Sequence, residues 1–207
     1  TEEGSSLYQE AKDLLRQREN LIGRFRNPHQ KVLRIGASTI PAGYIIPAIL
    51  TAFQQAHSDI LIQVEEQNSS ETIKRVSSRK VDAGIVGMKT EDENCEFKAI
   101  YNDEFVFITP NTPYYRELQQ SNASLKQLAK EPLIMRESGS AVKYNMEMIL
   151  KSAHIAVNKL NIVATINNVE VIKRMVAQGS GTSFISKIAA DDMIKRGELL
   201  FFSLDNL

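Results

Sequence analysis

The chain of 207 residues is long enough for one or two domains, and its 43 % of hydrophobic residues can supply a sizeable core. Its 25 basic and 25 acidic side chains cancel, which argues against a segment that grips DNA unaided, because such proteins usually carry a basic surplus. The single cysteine excludes a disulfide framework, and no run of about 18 apolar residues is present that could span a membrane. Together with the lack of a secretory leader at its start, these features predict a cytoplasmic protein with no membrane partner.

Residues 1–30 are predicted to form a long N-terminal helix that ends at Asn27-Pro28, because proline has no amide proton and disfavours helix before it. Its apolar residues recur at alternating spacings of four and three, a heptad pattern interrupted by Arg18. Such a stripe could lie on its own domain or pair with a second copy of the chain, and the heptad pattern favours pairing. The predicted dimerisation seam comprises Leu7, Leu14, Leu21 and Phe25.

From residue 31 onwards, short strands alternate with helices. In the first half, the pattern predicts strands at residues 32–36, 60–66, 83–88 (a buried strand), 97–100 and 104–109, with helices at 44–57 and at 69–80, the latter capped by Ser69 or Ser70. Residues 110–113 are rich in turn formers and mark a boundary. Beyond it, the pattern predicts helices at 125–130, 140–153, 168–178 and 188–196, and strands at 133–136, 160–166, 182–186 and 199–204. This alternation is typical of two α/β units, each with a mainly parallel sheet.

Several predicted strand ends are followed at once by small or hydroxyl residues and a helix start. In open α/β sheets, ligands bind beyond the carboxyl ends of the strands, and a helix start presents free amide groups that favour carboxylate, sulfate or phosphate. Each of these residues could instead be an ordinary helix cap, but their recurrence in both units favours a shared cleft for a small anionic ligand. The segments concerned are residues 36–39, 68–70, 87–88, 137–140 and 167–168.

Signatures of enzymes are weak in this sequence. Ser140 and Lys143 have the spacing of a nucleophile pair, but the companion motifs of that class are missing. The 3 histidines are isolated and lack the spacing of metal ligands. Acidic neighbours are expected to raise the pKa of the Cys95 thiol, which disfavours a reactive thiolate. We therefore predict no catalytic residue, no metal and no cofactor, and we do not expect the chain to be an enzyme.

Motifs along nearly the whole chain resemble those of LysR-type transcriptional regulators. Residues 33–39, followed by Tyr44, Pro47 and Phe53, resemble the first strand and helix of the effector domain of that family. Residues 82–86 resemble its Asp-x-Gly-Ile strand, and residues 105–110 resemble its hinge strand that ends in proline. Further matches are the second-lobe turn at residues 136–140 and the segment at residues 169–181 that ends in Gly-x-Gly. The first and second-lobe turns are most similar to the branch of the family that regulates cysteine and sulfur metabolism.

The resemblance implies an α/β fold of two Rossmann-like lobes joined by crossover strands, similar to type 2 periplasmic binding proteins and preceded by a long linker helix. It assigns residues 1–30 to the linker and dimerisation helix, residues 31–110 with 198–207 to lobe I, and residues 111–197 to lobe II. The winged helix-turn-helix of the family has no counterpart in this sequence, so DNA contact is expected through a domain outside it. Family members act as homodimers or homotetramers.

By the same resemblance, a small-molecule effector is expected between the lobes. Ile40, Pro41, Ala141 and Val142 stand where hydroxyl or glycine residues are usual, and these changes remove potential hydrogen-bond donors. Two other classes stay open, namely an exported solute-binding protein of a transporter and an enzyme, such as a dehydratase or transferase, on a related two-lobed fold. The expected effector contacts are Ser38, Thr39, Ser69, Gly87, Ser138, Ser140 and Asn168.

Overall fold

The computed structural model describes residues 1–26 and 31–204, and within the first range it leaves out the side chains of residues 9, 12, 13, 16, 17, 19–21 and 23–26. Helix α1 spans Glu2–Arg26. Leu7 and Leu14 of the predicted seam are 68 % and 65 % exposed, whereas the side chains of Leu21 and Phe25 lie outside the described part. No helix among the described residues is both long enough and apolar enough to cross a bilayer.

The first α/β unit contains a parallel sheet with the strand order β2-β1-β3. The central strand β1 (Lys31–Ser38) pairs along its whole length with β2 (Ile60–Gln67), and residues 35–37 pair with β3 (Ala83–Ile85). A π-helical turn, Pro41–Ile45, follows β1 and continues directly into α2 (Ile46–Ala56). This places the first turn of helix at the carboxyl end of β1, where ligands of open sheets bind.

Helix α3 (Ser69–Ser77) follows β2 and packs on β1. Its N-cap is Asn68, whose Oδ1 accepts a hydrogen bond from the amide of Glu71 at 2.9 Å. The predicted cap at Ser69 or Ser70 was therefore displaced by one or two residues, because both serines are already helical. The correction matters for function, since it frees the Ser69 hydroxyl from the capping role.

Two further predictions for the first unit were wrong. Strand β3 is short and largely exposed rather than buried, because β1 is its only strand partner among the described residues. The strand predicted at residues 97–100 is irregular backbone, since no strand of the described chain pairs with it. Without a partner strand, the backbone N–H and C=O groups of an extended segment bond to water, and no ladder of strand-to-strand hydrogen bonds forms.

The second unit is built around β4 (Phe105–Pro110), the central strand of an antiparallel sheet with β7 (Ser183–Ser186) and β8 (Leu199–Ser203). Strands β5 (Leu133–Arg136) and β6 (Ile162–Ile166) form a parallel pair, and a parallel bridge from Leu133 to Thr182 joins this pair to the start of β7. The helices are α4 (Pro113–Gln120), α5 (Leu125–Leu128), α6 (Ala141–Ser152), α7 (Val169–Ala177) and α8 (Lys187–Lys195), with a 3₁₀ turn at Val157–Lys159.

The main core covers both faces of this second sheet. Along β4, Val106 and Ile108 join a cluster with α7 and α8, whereas Phe107 joins a cluster with α5 and α6. All three side chains are fully buried, because successive side chains of a strand point to opposite faces of the sheet and both faces are covered here. Ile40 and Tyr44 from the first unit pack against the cluster of α7 and α8, so the two units share this core.

The fold class is α/β with two lobes, as predicted, but the three-stranded sheet of the second unit is antiparallel, where a mainly parallel sheet was predicted for each unit. Two strands also pair differently from the predicted division. Residues 105–110 and 198–204 were assigned to lobe I, yet within the described chain β4 and β8 pair with each other and β4 pairs with β7. The turn at residues 110–113 follows the first strand of the second sheet instead of preceding it. Backbone pairing therefore moves the division to the irregular segment before β4.

Candidate ligand-binding site

A cavity of about 220 Å³ lies where the carboxyl ends of strands from both units meet helix starts. The first unit contributes the end of β1 with the π-helical turn, the start of α3 and the segment after β3. The second unit contributes the end of β5, the start of α6 and the junction of β7 with α8. Its hydroxyl, charged and amide side chains come from Ser38, Thr39, Asn68, Ser69, Lys98, Tyr101, Asp103, Arg136, Ser140, Asn145 and Ser186.

The structure brings most of the expected contact residues together at this cavity, namely Ser38, Thr39, Ser69, Gly87 and Ser140. Ser138 lines a smaller depression of about 190 Å³ beside it, and its hydroxyl accepts a hydrogen bond from Lys143 Nζ at 3.1 Å. Asn168 is not among the described residues that line the cavity. Its side chain caps α7 by accepting from the amide of Val171 at 3.1 Å, which is the ordinary structural role of such a residue.

The start of α3 holds a buried hydroxyl with no partner. Asn68 Oδ1 satisfies the Glu71 amide, and the Ser70 amide donates to the carbonyl of Gly139 at 3.2 Å. Ser69 is 1 % exposed, and its Oγ has no hydrogen-bond partner within the part of the chain that the structure describes. A buried polar atom without a partner is costly, and Ser186 Oγ at the same cavity is in the same state, as is Thr72 Oγ1 further along α3.

The start of α6 faces the same cavity from the second unit. Its N-cap, Ser140, is 4 % exposed and makes no side-chain capping bond, so its hydroxyl does not satisfy the first-turn amides. Ala141 and Val142 occupy the first two helical positions, whose amides have no acceptor within a helix. The helix start therefore offers donors to an acceptor in the cavity.

Gly139 lets the turns before α3 and α6 touch. Its φ of +87° lies in the left-handed region, and a Cβ built on it would stand 3.1 Å from both terminal atoms of the Asn68 side chain. A residue with a side chain would be strained there and would push against Asn68. The two helix starts thus approach each other because glycine occupies this turn.

Arg136 is a buried cation at the end of β5, with 4 % of its surface exposed. Its Nε and Nη2 donate to the two carboxylate oxygens of Glu137 at 2.9 and 3.2 Å. Nη2 also donates to Thr39 Oγ1 at 3.4 Å, which links the second unit to the end of β1. Glu137 therefore already balances the charge of Arg136, and the guanidinium positions Thr39.

Asp103 lies at the rim of the cavity, close to the Ser186 hydroxyl that precedes α8. Although the residue as a whole is exposed, desolvation of the carboxyl group raises its pKa. The Ser186 hydroxyl opposes this shift, while the charge of Glu104 adds to it. The start of α8 thus has an acidic neighbour of its own, unlike the starts of α3 and α6.

A polar cluster stands directly behind the cavity wall formed by the π-helical turn. Lys173 of α7 is 1 % exposed, and its Nζ donates to the Ala189 carbonyl at 2.7 Å and to Asp192 Oδ1 at 3.1 Å, with Glu170 Oε1 at 2.9 Å. The hydroxyl oxygen of Tyr44, in the π-helical turn, lies 3.4 Å from this ammonium group. Burial alone would lower the pKa of Lys173, but the bonds to the two carboxylates outweigh it and raise the pKa.

Within the described residues, no group of three or more His, Cys, Asp or Glu side chains is arranged to hold a metal ion. Cys95 is unpaired with another cysteine, and burial, followed by the charge of Asp92, raises the pKa of its thiol. What the cavity supplies is hydrogen-bond donors and apolar wall, a combination suited to binding.

The comparison with known families decides the affiliation. The family model described as the LysR substrate binding domain matches residues 26–207. The chain belongs to this family.

Two curated relatives of the chain are described as uncharacterized HTH-type transcriptional regulators. MJ0300 of Methanocaldococcus jannaschii is 26 % identical over 193 residues, which are 92 % of this chain and 64 % of the relative. YeiE of Escherichia coli K12 is 29 % identical over 199 residues, which are 96 % of this chain and 65 % of the relative. The chain therefore spans less than two thirds of the length of these relatives.

Solved LysR structures share the fold. The regulatory domain of CcmR from Synechocystis PCC6803, in complex with 2-PG, has a TM-score of 0.71 at 23 % identity and covers 83 % of this chain and 80 % of that one. HinK, a LysR family transcriptional regulator from Pseudomonas aeruginosa, has a TM-score of 0.63 at 21 % identity and covers 90 % of this chain and 62 % of that one. These likenesses confirm the two-lobed α/β architecture predicted from the sequence.

Four residues with a clear place at this site were missed by sequence reasoning as site residues. Asn68 caps α3, Arg136 anchors Thr39, and Asp103 and Ser186 form the acidic rim. Asn68 and Arg136 stood within segments already singled out, so a helix-cap and charge analysis of those turns could have found them. No pattern in the sequence places Asp103 next to Ser186, because the pairing of β4 with β7 brings them together.

Proposed function

We propose that this chain is the ligand-sensing part of a LysR-type transcriptional regulator, and that a small anionic effector binds in the cavity between its two units. The unpartnered Ser69 hydroxyl, buried at the start of α3 and opposite the free first turn of α6, is the observation that carries the proposal. An anion there completes hydrogen bonds on both sides. The expected contacts are Ser38, Thr39, Ser69, Gly87, Ser138 and Ser140, with Asn168 acting as a helix cap nearby.

The proposed mechanism is a shift between arrangements of the two units. A ligand that contacts Ser69 and Ser140 at once binds better when the two helix starts are close, so it favours the closed arrangement in proportion to that difference in affinity. Arg136 and Gly139 already join the units at Thr39 and Ser70. The binding event therefore acts on an existing contact between the units, and the change is passed to subunit packing and to DNA-binding domains outside this sequence.

The proposed assembly is a homodimer or homotetramer that pairs through α1. The exposed Leu7 and Leu14 support this, because an amphipathic helix stripe gains stability by burying its apolar face. Contact with DNA is proposed only for the part of the protein outside this sequence, since the 25 basic and 25 acidic residues here leave no basic surplus. The proposed location of the protein is the cytoplasm. The role we propose is binding, with no catalytic step.

DNA footprinting of the full-length protein tests the sensor role, with a panel of small carboxylates and phosphate esters as probes. A probe that raises the melting temperature should change the footprint, and Ser69→Ala should remove both effects. The matched control is Ser152→Ala, whose exposed hydroxyl donates only to the Ile149 carbonyl at 2.8 Å. A probe whose stabilising effect disappears in Ser69→Ala, but which leaves the footprint and subunit packing unchanged, contradicts the proposal.

A further inference from the structure

We propose that the cavity selects a carboxylic acid with a single negative charge and a short aliphatic body, in preference to dianions such as phosphate esters and dicarboxylates. The inference rests on the proposed sensor function and narrows its ligand class. It follows from the charges around the cavity, from the Ser69 hydroxyl, which with that of Ser186 is buried there without a partner in the described part of the chain, and from the apolar residues at two helix starts.

The positive potential at the cavity comes mainly from two helix starts. Helix α3 has 9 residues and α6 has 12, and each N-terminus is equivalent to about half a positive charge. The π-helical turn adds little, because Pro41 at its first positions has no amide proton to donate. The start of α8 already has an acidic neighbour, because Ser186, which precedes this helix, lies close to the Asp103 carboxyl. The first turn of α3 already donates its Ser70 and Glu71 amides to Gly139 and Asn68, so the two starts together supply at most roughly one unit of positive potential.

The charged side chains add no net surplus. Lys98, Asp103 and Arg136 line the cavity, and Glu137 forms an ion pair with Arg136. Two cations and two carboxylates cancel, so the helix starts alone set the balance. One ligand charge matches this potential, whereas a second charge would be desolvated without a counterpart, which is unfavourable.

The Ser69 hydroxyl identifies the place of the charged head. It is buried and without a partner among the described residues, and it belongs to the first turn of α3. A carboxylate has two oxygens, so one can accept from Ser69 while the other accepts from the first turn of α6 at Ala141 and Val142. A neutral ligand could use these donors, but it would gain nothing from the potential of the helix starts.

Part of the wall is apolar and suits a hydrocarbon body. Ile40, Pro41, Ala141 and Val142, which the sequence analysis noted as departures from the family pattern, all line the cavity. The cavity of about 220 Å³ has room for a short acid. The apolar part of the wall consists of Ile40, Pro41, Ile45, Ile85, Val86, Ala99, Ile100, Phe105, Ala141 and Val142.

Calorimetric titration of the full-length protein with a homologous series tests the inference. The probes are acetate, propionate, butyrate and valerate, with butyramide as the neutral analogue, succinate as a dianion and phosphoglycolate as an anion of still higher charge. Affinity is expected to rise by about fourfold with each methylene that becomes buried, until the cavity is full. Butyramide, succinate and phosphoglycolate are each expected to bind at least about tenfold more weakly than butyrate, because one charge-assisted hydrogen-bond set is lost or one charge is left unmatched.

Two variants separate the head from the body of the ligand. Ser69→Ala should weaken all monocarboxylates by about tenfold while keeping the gain per methylene. Val142→Thr keeps the shape of the side chain but adds a hydroxyl, so it should reduce the gain per methylene and leave acetate little changed. Ser152→Ala, on an exposed part of α6, should change neither quantity.

Three results would overturn the inference. The first is a dianion that binds more tightly than valerate and loses affinity in Ser69→Ala. The second is an affinity that does not grow with chain length, and the third is a complete lack of binding by the monocarboxylates. A tight Ser69-dependent dianion that still changes the DNA footprint would reject only this narrower ligand class and leave the sensor role intact. A footprint that no bound ligand changes would reject the sensor role itself.

Discussion

The Tyr44 hydroxyl donates a hydrogen bond to Glu170 Oε1 across 2.5 Å, and this bond joins the π-helical turn of the first unit to α7 of the second. Tyr44 also lies 3.4 Å from the buried Lys173 ammonium group. Because Ile40, Pro41 and Ile45 of the same turn line the cavity or its rim, the bond fixes a wall of the proposed ligand site. π-Helical turns occur often at functional sites, and this one holds the two units together beside the cavity.

Tyr44→Phe removes the hydroxyl and keeps the ring. The free energy of unfolding should fall by about 1 kcal/mol, because a hydrogen bond to a partly exposed carboxylate is lost. Urea denaturation followed by circular dichroism measures the change. Tyr114→Phe is the matched control, since the Tyr114 hydroxyl donates at 2.8 Å to Glu131 on an exposed surface. An equal loss of unfolding free energy in the two variants would mean that the bond between the units contributes no more to stability than a bond on an exposed surface.

Lys173→Met tests the buried ammonium group that four oxygen atoms surround. The variant keeps an unbranched apolar side chain of nearly the same length but leaves Glu170, Asp192 and the Ala189 carbonyl without their cation, so the free energy of unfolding should fall by about 2 kcal/mol. Lys195→Met removes an exposed lysine that pairs with Asp191 and should cost less than about 0.5 kcal/mol. Similar urea midpoints for the two variants would contradict the structural role of Lys173.

The same cluster predicts a loss of stability in acid. Burial would raise the pKa values of Glu170 and Asp192, but hydrogen bonds lower both below their usual range. Glu170 accepts from Tyr44 and Lys173, and Asp192 accepts from Lys173 and from the Met193 amide. A carboxylate with a lowered folded pKa contributes stability above its unfolded pKa, and this contribution is lost as the pH falls through the folded value.

The urea midpoint should therefore decline as the pH falls from about 5 to about 3, and the decline should be shallower in Lys173→Met. Measuring both proteins over this range, with Lys195→Met as a charge-matched control, isolates the cluster from the general effect of acid. Parallel declines in all three proteins would assign the acid sensitivity to other carboxylates.

Gly139→Ala tests the contact between the turns that precede α3 and α6. Two causes of instability combine there, a φ of +87° and a Cβ that would stand 3.1 Å from the Asn68 side chain. Gly179→Ala is a matched control, because Gly179 has a φ of +81° but nothing within 4 Å of its Cβ position. Backbone strain alone should cost about 1 kcal/mol in each variant.

Gly139→Ala should therefore lose more stability than Gly179→Ala, and only the former should weaken ligand binding. Thermal unfolding with and without a bound carboxylate measures both effects. Equal losses in the two variants, with binding unchanged in both, would show that the approach of the two helix starts is not required.

Leu7→Glu combined with Leu14→Glu tests the predicted pairing of α1. Two charges on the exposed stripe should dissociate the full-length dimer or tetramer, because like charges face each other across a helix pair. Light scattering after size-exclusion chromatography gives the mass. The control adds two charges outside the heptad positions, as Ser5→Glu with Ser6→Glu. An unchanged mass in the Leu7/Leu14 variant would place the subunit contact elsewhere.

Most elements of the second unit could be predicted from the sequence, but helix α4 was missed and the direction of the strands around β4 was not foreseen. The strand predicted at residues 133–136 is β5 at Leu133–Arg136, and of the two predicted caps for α7, Asn167 or Asn168, the structure has Asn168. These elements have clear periodicity and flanking caps, so local information suffices. The predicted strand at residues 97–100 failed, because an extended segment becomes a strand only where a partner supplies hydrogen bonds, and local sequence does not reveal the partner.

Part of the candidate site could also be predicted from local sequence, and part of it could not. Ser38, Ser69 and Ser140 could be predicted because each stands between a strand end and a helix start, a pattern visible along the chain. Lys173 could not be predicted as buried, because a lysine among the polar positions of a helix usually faces water. Its burial depends on Tyr44, which is 129 residues away in sequence.

Strand β4 precedes the turn-rich residues 110–113, yet it forms the middle of the second sheet and contributes Val106, Phe107 and Ile108 to two separate clusters. A protease cut at that turn would leave the central strand on one fragment and both of its neighbours, β7 and β8, on the other. Neither fragment would retain a complete interior. The two units are thus interdependent in folding, and the proposed movement of one against the other would take place around a strand that belongs to a shared interior.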